Sequence, residues 1–180
     1  MGRLIEVTHV STGGQIDPQD WALRYMMDDE VSGHLSDSVF AADALVLGRQ
    51  TFEVCRAAWG SMPSSPFVDR MNAMPKFVAS RTLSSASWNA TVIDGDVATF
   101  VADLKDDRDM KLVKFGNGPL DVTLMEHGLI DEIHILLAPV AVGRGRHMFE
   151  ALPGAIPLTL AEARPLRSGV VLLVYTPPGR

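Results

Sequence analysis

Three places in this 180-residue chain combine a backbone turn with groups that hold anions. Gly48, Arg49, Gln50 and Thr51 follow the apolar run 44–47; Ser80, Arg81 and Thr82 follow the run 76–79; Gly116, Asn117, Gly118, Pro119 and Leu120 follow the run 111–115. A strand that stops at a glycine and hands over to a helix leaves the first N–H groups of that helix unpaired and aimed at the strand end. Such groups suit a phosphate, to which a guanidinium adds a forked donor set and a hydroxyl one further hydrogen bond. Taken singly, Gly-Arg-x-Thr also fits an ordinary strand–helix junction with a solvated arginine and a threonine cap. Ser80-Arg81-Thr82 repeats its chemistry at the next strand end.

These groups need strands to end level and helices to begin beside them. Residues 44–47 read as a strand buried on both faces, and Phe52, Cys55 and Trp59 recur at helical spacing directly after it. Residues 4–10 read as a first strand that breaks at Ser11-Thr12-Gly13-Gly14. The stretch from Gln15 to Glu30, which includes Pro18 and Gln19, reads as loop or short helix. Val31, Leu35 and Val39 then define a helix of about three turns, capped by Asp28 or Asp29 and ended by Ala42 and Asp43. A short helix over 67–74 is stopped by Pro75, Lys76 returns the chain to strand, and Val92 with Ile93 forms a further short strand. Val97, Phe100, Val101 and Leu104 make a helical stripe that runs into Lys105, Asp106, Asp107, Arg108 and Asp109, expected as a solvated helix end. Pro119 suits a first helical position and Gly128 a helix stop. Residues 132–142 read as one long strand, and 158–166 with 170–176 as an antiparallel hairpin around Arg167-Ser168-Gly169.

Composition limits the function. The chain is 47% hydrophobic and 21% charged, with a net charge of -6, which fits one soluble α/β domain over residues 1–180 and argues against a broad nucleic-acid or anionic-membrane surface. The expected partner is a small molecule. The single cysteine, Cys55, excludes an internal disulfide and fits a reducing cytoplasm, and no segment approaches the roughly 20 apolar residues of a membrane span. His9, His34, His127, His134 and His147 lack the close spacing of metal ligands. The dinucleotide fingerprint G-x-G-x-x-G after a first strand is also absent.

The order of the three junctions resembles the dihydrofolate reductase superfamily. More narrowly, H-G-L-I-D-E-I-H-I-L-L-A-P-V-A-V-G-R-G-R-H-M-F (residues 127–149), M-P-K-F-V-A-S-R-T-L (74–83) and S-G-V-V-L-L-V-Y (168–175) are similar to the reductase domain at the C-terminus of bacterial riboflavin-biosynthesis deaminase-reductases and its stand-alone relatives. The resemblance implies a single-domain, dihydrofolate-reductase-like α/β fold with a mixed, mostly parallel sheet, an antiparallel C-terminal hairpin and helices on both faces. It implies NADPH as cofactor. Gly48, Arg49, Gln50 and Thr51 would hold the pyrophosphate, Ser80, Arg81 and Thr82 the adenosine ribose and its 2′-phosphate, and Gly116, Asn117, Gly118, Pro119 and Leu120 would close on the dinucleotide. Gly118 is expected where a side chain would crowd the phosphates. The main chain at His9 and Val10 would face the nicotinamide, and Thr12, Gly14 and Asp29 would line the substrate pocket. A homodimer is implied as well, supported by the apolar late strands.

One departure bears on chemistry. Where relatives carry Ser-Leu-Asp-Gly, this chain has Ser11-Thr12-Gly13-Gly14 and lacks the acid. Two functions therefore stand: an NADPH-dependent reductase of a small heterocyclic, carbonyl or imine substrate, and a nucleotide-cofactor-binding protein of the same fold without turnover.

Overall fold

A computed structural model of the protein describes residues 2–17, 20–106 and 109–178. Eight strands and six helices lie within these residues. They group into two compact units, the first comprising residues up to 4 with Ser36–Phe115, the second Ile5–Leu35 with the described residues from 116 onward.

The first unit alternates strand and helix. β2 (Ala44–Gly48) pairs in parallel with β3 (Lys76–Ala79) and with β5 (Lys111–Phe115), and β3 pairs in parallel with β4 (Ala90–Val92). Ala44, Leu45, Val46 and Leu47 are fully buried, which is why the run is continuously apolar rather than alternating. α3 (Arg49–Trp59) packs Phe52 and Cys55 inward, and α4 (Pro66–Ala73) buries Val68 and Met71. Ser65 caps α4 by accepting the Val68 N–H. Trp59 ties these elements together, meeting Phe67 edge to face at 5.9 Å and Phe115 at 6.3 Å. α5 (Val97–Asp106) places Phe100 edge to face on Phe77 of β3.

In the second unit β1 (Arg3–Ser11) pairs in parallel with β6 (Glu132–Ala138), which pairs antiparallel with β8 (Val171–Thr176) and through it with β7 (Thr159–Pro165). The expected hairpin is present, with Gly169 at φ 86 and its N–H bonded to the Leu166 carbonyl at 2.9 Å. α1 (Asp20–Met26) precedes α2 (Asp29–Ala41), whose first half belongs to this unit, and α6 (Pro119–Glu126) follows the glycine turn. Gly128 stops α6 with φ 60, its N–H returning to the Met125 carbonyl at 3.0 Å. The fold is thus the expected mixed α/β type, with mostly parallel strands and an antiparallel C-terminal pair. None of the helices among the described residues is long and apolar enough to cross a membrane.

Four expectations change. β6 ends at Ala138 instead of continuing to 142: Pro139 has no N–H for a ladder, and Val140 turns back to the Ala138 carbonyl at 2.8 Å. β4 spans Ala90–Val92, two residues earlier than its apolar pair indicated, because Trp88 and Asn89 both adopt positive φ and start the pairing there. Lys105 is buried rather than solvated, since Gly2 closes over the end of α5 and donates its N–H to the Lys105 carbonyl at 2.8 Å. Asp107 and Arg108 of the same charge run lie outside the described residues, as do Pro18 and Gln19. Finally, the apolar residues of β6 and β8 that were to support a dimer are largely buried within the chain, Ile133, Leu136, Leu172 and Val174 among them.

The start of α2 is set by Asp28, whose Oδ1 accepts the N–H groups of Glu30 at 3.1 Å and Val31 at 3.2 Å. Asp28→Ala is expected to cost about 1 kcal/mol of stability in urea unfolding, and Asp28→Asn to retain most of it.

Candidate functional site

The first unit brings two of the three junctions together. In the parallel pairing of β2 with β3, Gly48 stands opposite Ala79, so the two strands end level. Arg49 at the first position of α3 then donates from Nη1 to Thr82 Oγ1 at 2.6 Å and from Nε to Glu53 Oε1 at 2.8 Å. Ser80 folds the loop by accepting the N–H groups of Thr82 at 3.2 Å and Leu83 at 3.0 Å. Arg81 is exposed and makes no hydrogen bond or ion pair among the described residues. Gly48 has an ordinary extended backbone, φ -72 and ψ 155, and a Cβ built on it would meet nothing within 4 Å. Neither conformation nor packing calls for glycine there. What its absent side chain leaves is open space before the start of α3, flanked by a guanidinium and hydroxyls, which fits a phosphate. Gln50 is exposed and Thr51 half-buried in the same first turn.

The third junction lies in the second unit and is locked to β1. Gly116, at φ 72, donates its N–H to the Val7 carbonyl at 3.1 Å. The Asn117 side chain donates to Glu6 Oε1 at 2.8 Å and accepts the Phe149 N–H at 3.1 Å. Pro119 opens α6 as expected, and Asp121 accepts the Gly118 N–H at 2.7 Å. Gly118 departs from expectation: its φ of 169 is extended backbone open to any residue, and a Cβ there would meet only Arg146 Nη1, at 3.9 Å. The residue of this turn that requires glycine is Gly116. A cavity of about 180 Å³ opens here, lined by Ile16, Asn117, Gly118, Arg146, His147 and Phe149. Arg146 is oriented across it by Asp17, Nε to Oδ2 at 2.8 Å.

The first loop folds onto the segment that ends this cavity. Thr12 donates from both N–H and Oγ1 to the Val140 carbonyl, at 3.0 and 2.8 Å, and Gly14, at φ 85, accepts the Met148 N–H at 2.9 Å. The Ser11 hydroxyl donates to Gln15 Oε1, and Gln15 Nε2 lies 3.2 Å from His147 Nε2. A Cβ on Gly13 would sit 2.5 Å from Gln15 Oε1, so a larger residue there would push the folded-back tip of the glutamine aside. His9 and Val10 are buried in β1. Asp29 is exposed at the start of α2, its carbonyl accepting the Ser32 hydroxyl at 3.3 Å, and nothing among the described residues joins its carboxylate to this loop.

The family described as the RibD C-terminal domain matches residues 4–172 of the chain. The chain belongs to that family. It is similar to the uncharacterized protein YyaP of Bacillus subtilis, at 27% identity over 164 residues, covering 87% of this chain and 82% of YyaP. Among solved structures, a protein from Shewanella sp. PV-4 superposes with a TM-score of 0.78 at 19% identity, covering 97% of this chain and 98% of that one. The deaminase/5-amino-6-(5-phosphoribosylamino)uracil reductase of Thermotoga maritima gives 0.68 at 14% identity, covering 98% of this chain and 56% of that one. At these identities the structural likeness concerns the fold.

In this RibD C-terminal domain several site-forming residues carry no signal in the sequence. Glu6, Gln15, Arg146 and His147 take their roles from partners more than 100 positions away, Gln15 excepted in its bond to Ser11. His9 is the most perturbed of the nominated residues: burial, with a smaller contribution from the charge of His34, lowers its pKa to about 4, and no hydrogen bond among the described residues satisfies its Nε2. A folded-state pKa below the unfolded value near 6.5 means that the unfolded chain takes up this proton first as pH falls. Stability from this group is therefore complete above about pH 6.5 and declines toward pH 4, by up to about 3 kcal/mol. Urea unfolding at stepped pH should show this slope in the wild type, and His9→Leu should flatten it by that amount.

Proposed function

We propose that the chain is a single NADPH-dependent reductase domain over residues 1–180. Its proposed substrate is a small heterocycle with a reducible imine or carbonyl, of the 5-amino-6-ribosylamino-pyrimidine type. The observation that carries the reading is the 2.6 Å bond from Arg49 Nη1 to Thr82 Oγ1, which assembles guanidinium and hydroxyl groups beside open space at Gly48. Membership of the RibD C-terminal domain family supports the reaction class.

In this reading Gly48, Arg49, Gln50 and Thr51 hold the pyrophosphate, and Ser80, Arg81 and Thr82 hold the ribose 2′-phosphate. Arg49 is kept in one orientation by Glu53 and Thr82, so little of its side-chain freedom remains to be lost on binding. Gly116, Asn117, Gly118, Pro119 and Leu120 close on the dinucleotide, the turn being held rigid by Asn117. The main chain at His9 and Val10 faces the nicotinamide, and Thr12, Gly14 and Asp29 line the substrate side. NADPH, when bound, supplies the hydride; the protein supplies position and exclusion of water. The buried free thiol of Cys55 supports a reducing, cytoplasmic setting.

A homodimer belongs to the same proposal. It is supported by β7, which is an edge strand exposed along its whole length, with Leu160 51% exposed. Such an edge is normally covered or paired. Light scattering at micromolar concentration should give the mass of two chains, and a monomer mass removes the dimer.

The cofactor reading is tested by NADPH oxidation with pyrimidine, carbonyl and imine substrates, together with direct titration of NADPH and NADH. Arg81→Ala should weaken NADPH by about 1.5 to 3 kcal/mol and leave NADH almost unchanged. Equal losses for both cofactors would remove Arg81 from the 2′-phosphate. Binding of NADPH without turnover of any substrate would favour the nucleotide-binding protein over the reductase.

A further inference from the structure

We propose that His34 of α2 and His134 of β6 form a proton-sensitive latch that accepts one added proton but not two, so that acidification releases the first half of α2 from β6. The two rings meet at a single nitrogen pair, His34 Nε2 to His134 Nδ1 at 3.0 Å, with ring centroids 5.1 Å apart. The far nitrogen of His134, Nε2, lies 3.0 Å from Glu132 Oε2. His134 is buried and His34 half-buried, so the contact is shielded from water while protons still reach it.

Hydrogen-bond chemistry limits how many protons this chain can carry. With both rings neutral, His134 donates from Nε2 to Glu132 and accepts on Nδ1 from His34 Nε2–H, and every facing pair is one donor and one acceptor. One added proton leaves that pattern workable, because either ring can be the imidazolium and the other still accepts or donates. A second proton places Nε2–H against Nδ1–H, two donors and two like charges 3.0 Å apart. The contact must then open. The open state therefore binds the second proton more tightly than the closed state. Closure is complete above the pKa of a free histidine, near 6.5, and is lost as pH falls below it.

The surroundings reinforce the limit. On β1, buried His9 lies near enough to this cluster to feel the charge of His34. On β6, the Glu132 carboxylate meets His134 Nε2. On α2, Glu30 lies one turn before His34 and is engaged by Arg167, accepting its N–H at 2.7 Å with Nε at 3.4 Å, and Asp37 lies exposed one turn after. β8 presents Val174 opposite His134 and no charge. Among the described residues no group of three or more His, Cys, Asp or Glu side chains is placed to hold a metal ion.

Imidazole nitrogen NMR across pH 7.5 to 4.5 tests the latch in the folded protein. His34 and His134 should titrate in two steps separated by more than about one pH unit, with α2 amide shifts following the lower step. In His34→Gln, which keeps a donor toward His134 without titrating, His134 should titrate in one step and the lower α2 transition should vanish. The ratio of α2 amide exchange in wild type to that in His34→Gln should rise about tenfold from pH 7 to pH 5, the amount equivalent to one unit of coupling. His9 is present in both proteins, and because burial is the larger cause of its lowered pKa the greater part of its contribution cancels in that ratio. His134→Gln serves as a second variant and should behave in the same way. Independent single titrations in the wild type, or an exchange ratio that does not change with pH, overturn the latch.

Discussion

A carboxyl group taken fully out of water has to find its hydrogen bonds inside the protein, and Glu6 of β1 imposes that demand on the second unit. Asn117 meets part of it, donating to Oε1 at 2.8 Å from 111 residues away, and the same side chain accepts the Phe149 N–H. β1, the turn that opens α6 and the segment before β7 consequently share one anchor. Gly116 makes this possible: its left-handed backbone aims Asn117 at Glu6 while its own N–H reaches the Val7 carbonyl. Phe149 sits at φ 64, an unfavourable conformation for a bulky residue, and the bond to Asn117 helps hold it there. The cavity beside Gly118 takes its shape from this arrangement.

In the first unit a buried cation makes a similar demand. Lys76 is fully buried on β3, donates to the Met74 carbonyl at 2.7 Å and lies 4.2 Å from the Trp88 ring centroid. Burial lowers its pKa to about 8 and, in the same core, raises that of Cys55 to about 12, so the lysine stays largely charged near neutrality and the thiol stays protonated. Trp88 is held over the lysine by its own bond to Asn72 Oδ1 at 2.6 Å. These contacts fix β3 from beneath, and the loop carrying Ser80, Arg81 and Thr82 begins where β3 ends.

What could be read from the residues was mostly local. The buried run before Gly48, the stripe Phe52-Cys55-Trp59, the acid that caps α2, Pro119 at the start of α6 and Gly128 at its end each depend on neighbours a few positions away. The three strand-end junctions were legible for the same reason, since Gly48-Arg49-Gln50-Thr51, Ser80-Arg81-Thr82 and the glycine turn before Pro119 each announce their chemistry within a few residues. Lys105 was misread because charge in a sequence says nothing about which part of the fold closes over it. β6 was drawn too long because apolar residues continue beyond Pro139 although the ladder cannot.

The sequence by itself determined the alternation of elements, the mixed α/β class and the residue types available for phosphate contact, because these follow from periodicity, capping and turn chemistry over short spans. Only the tertiary structure decided that Arg49 meets Thr82, that Asn117 serves Glu6, that Gln15 reaches His147 and that His34 meets His134. Those pairs are separated by 33 to 132 residues, and no local pattern encodes which strands end level or which helix covers which strand. Burial favours a partner for each polar group, and strand register decides which partner is within reach.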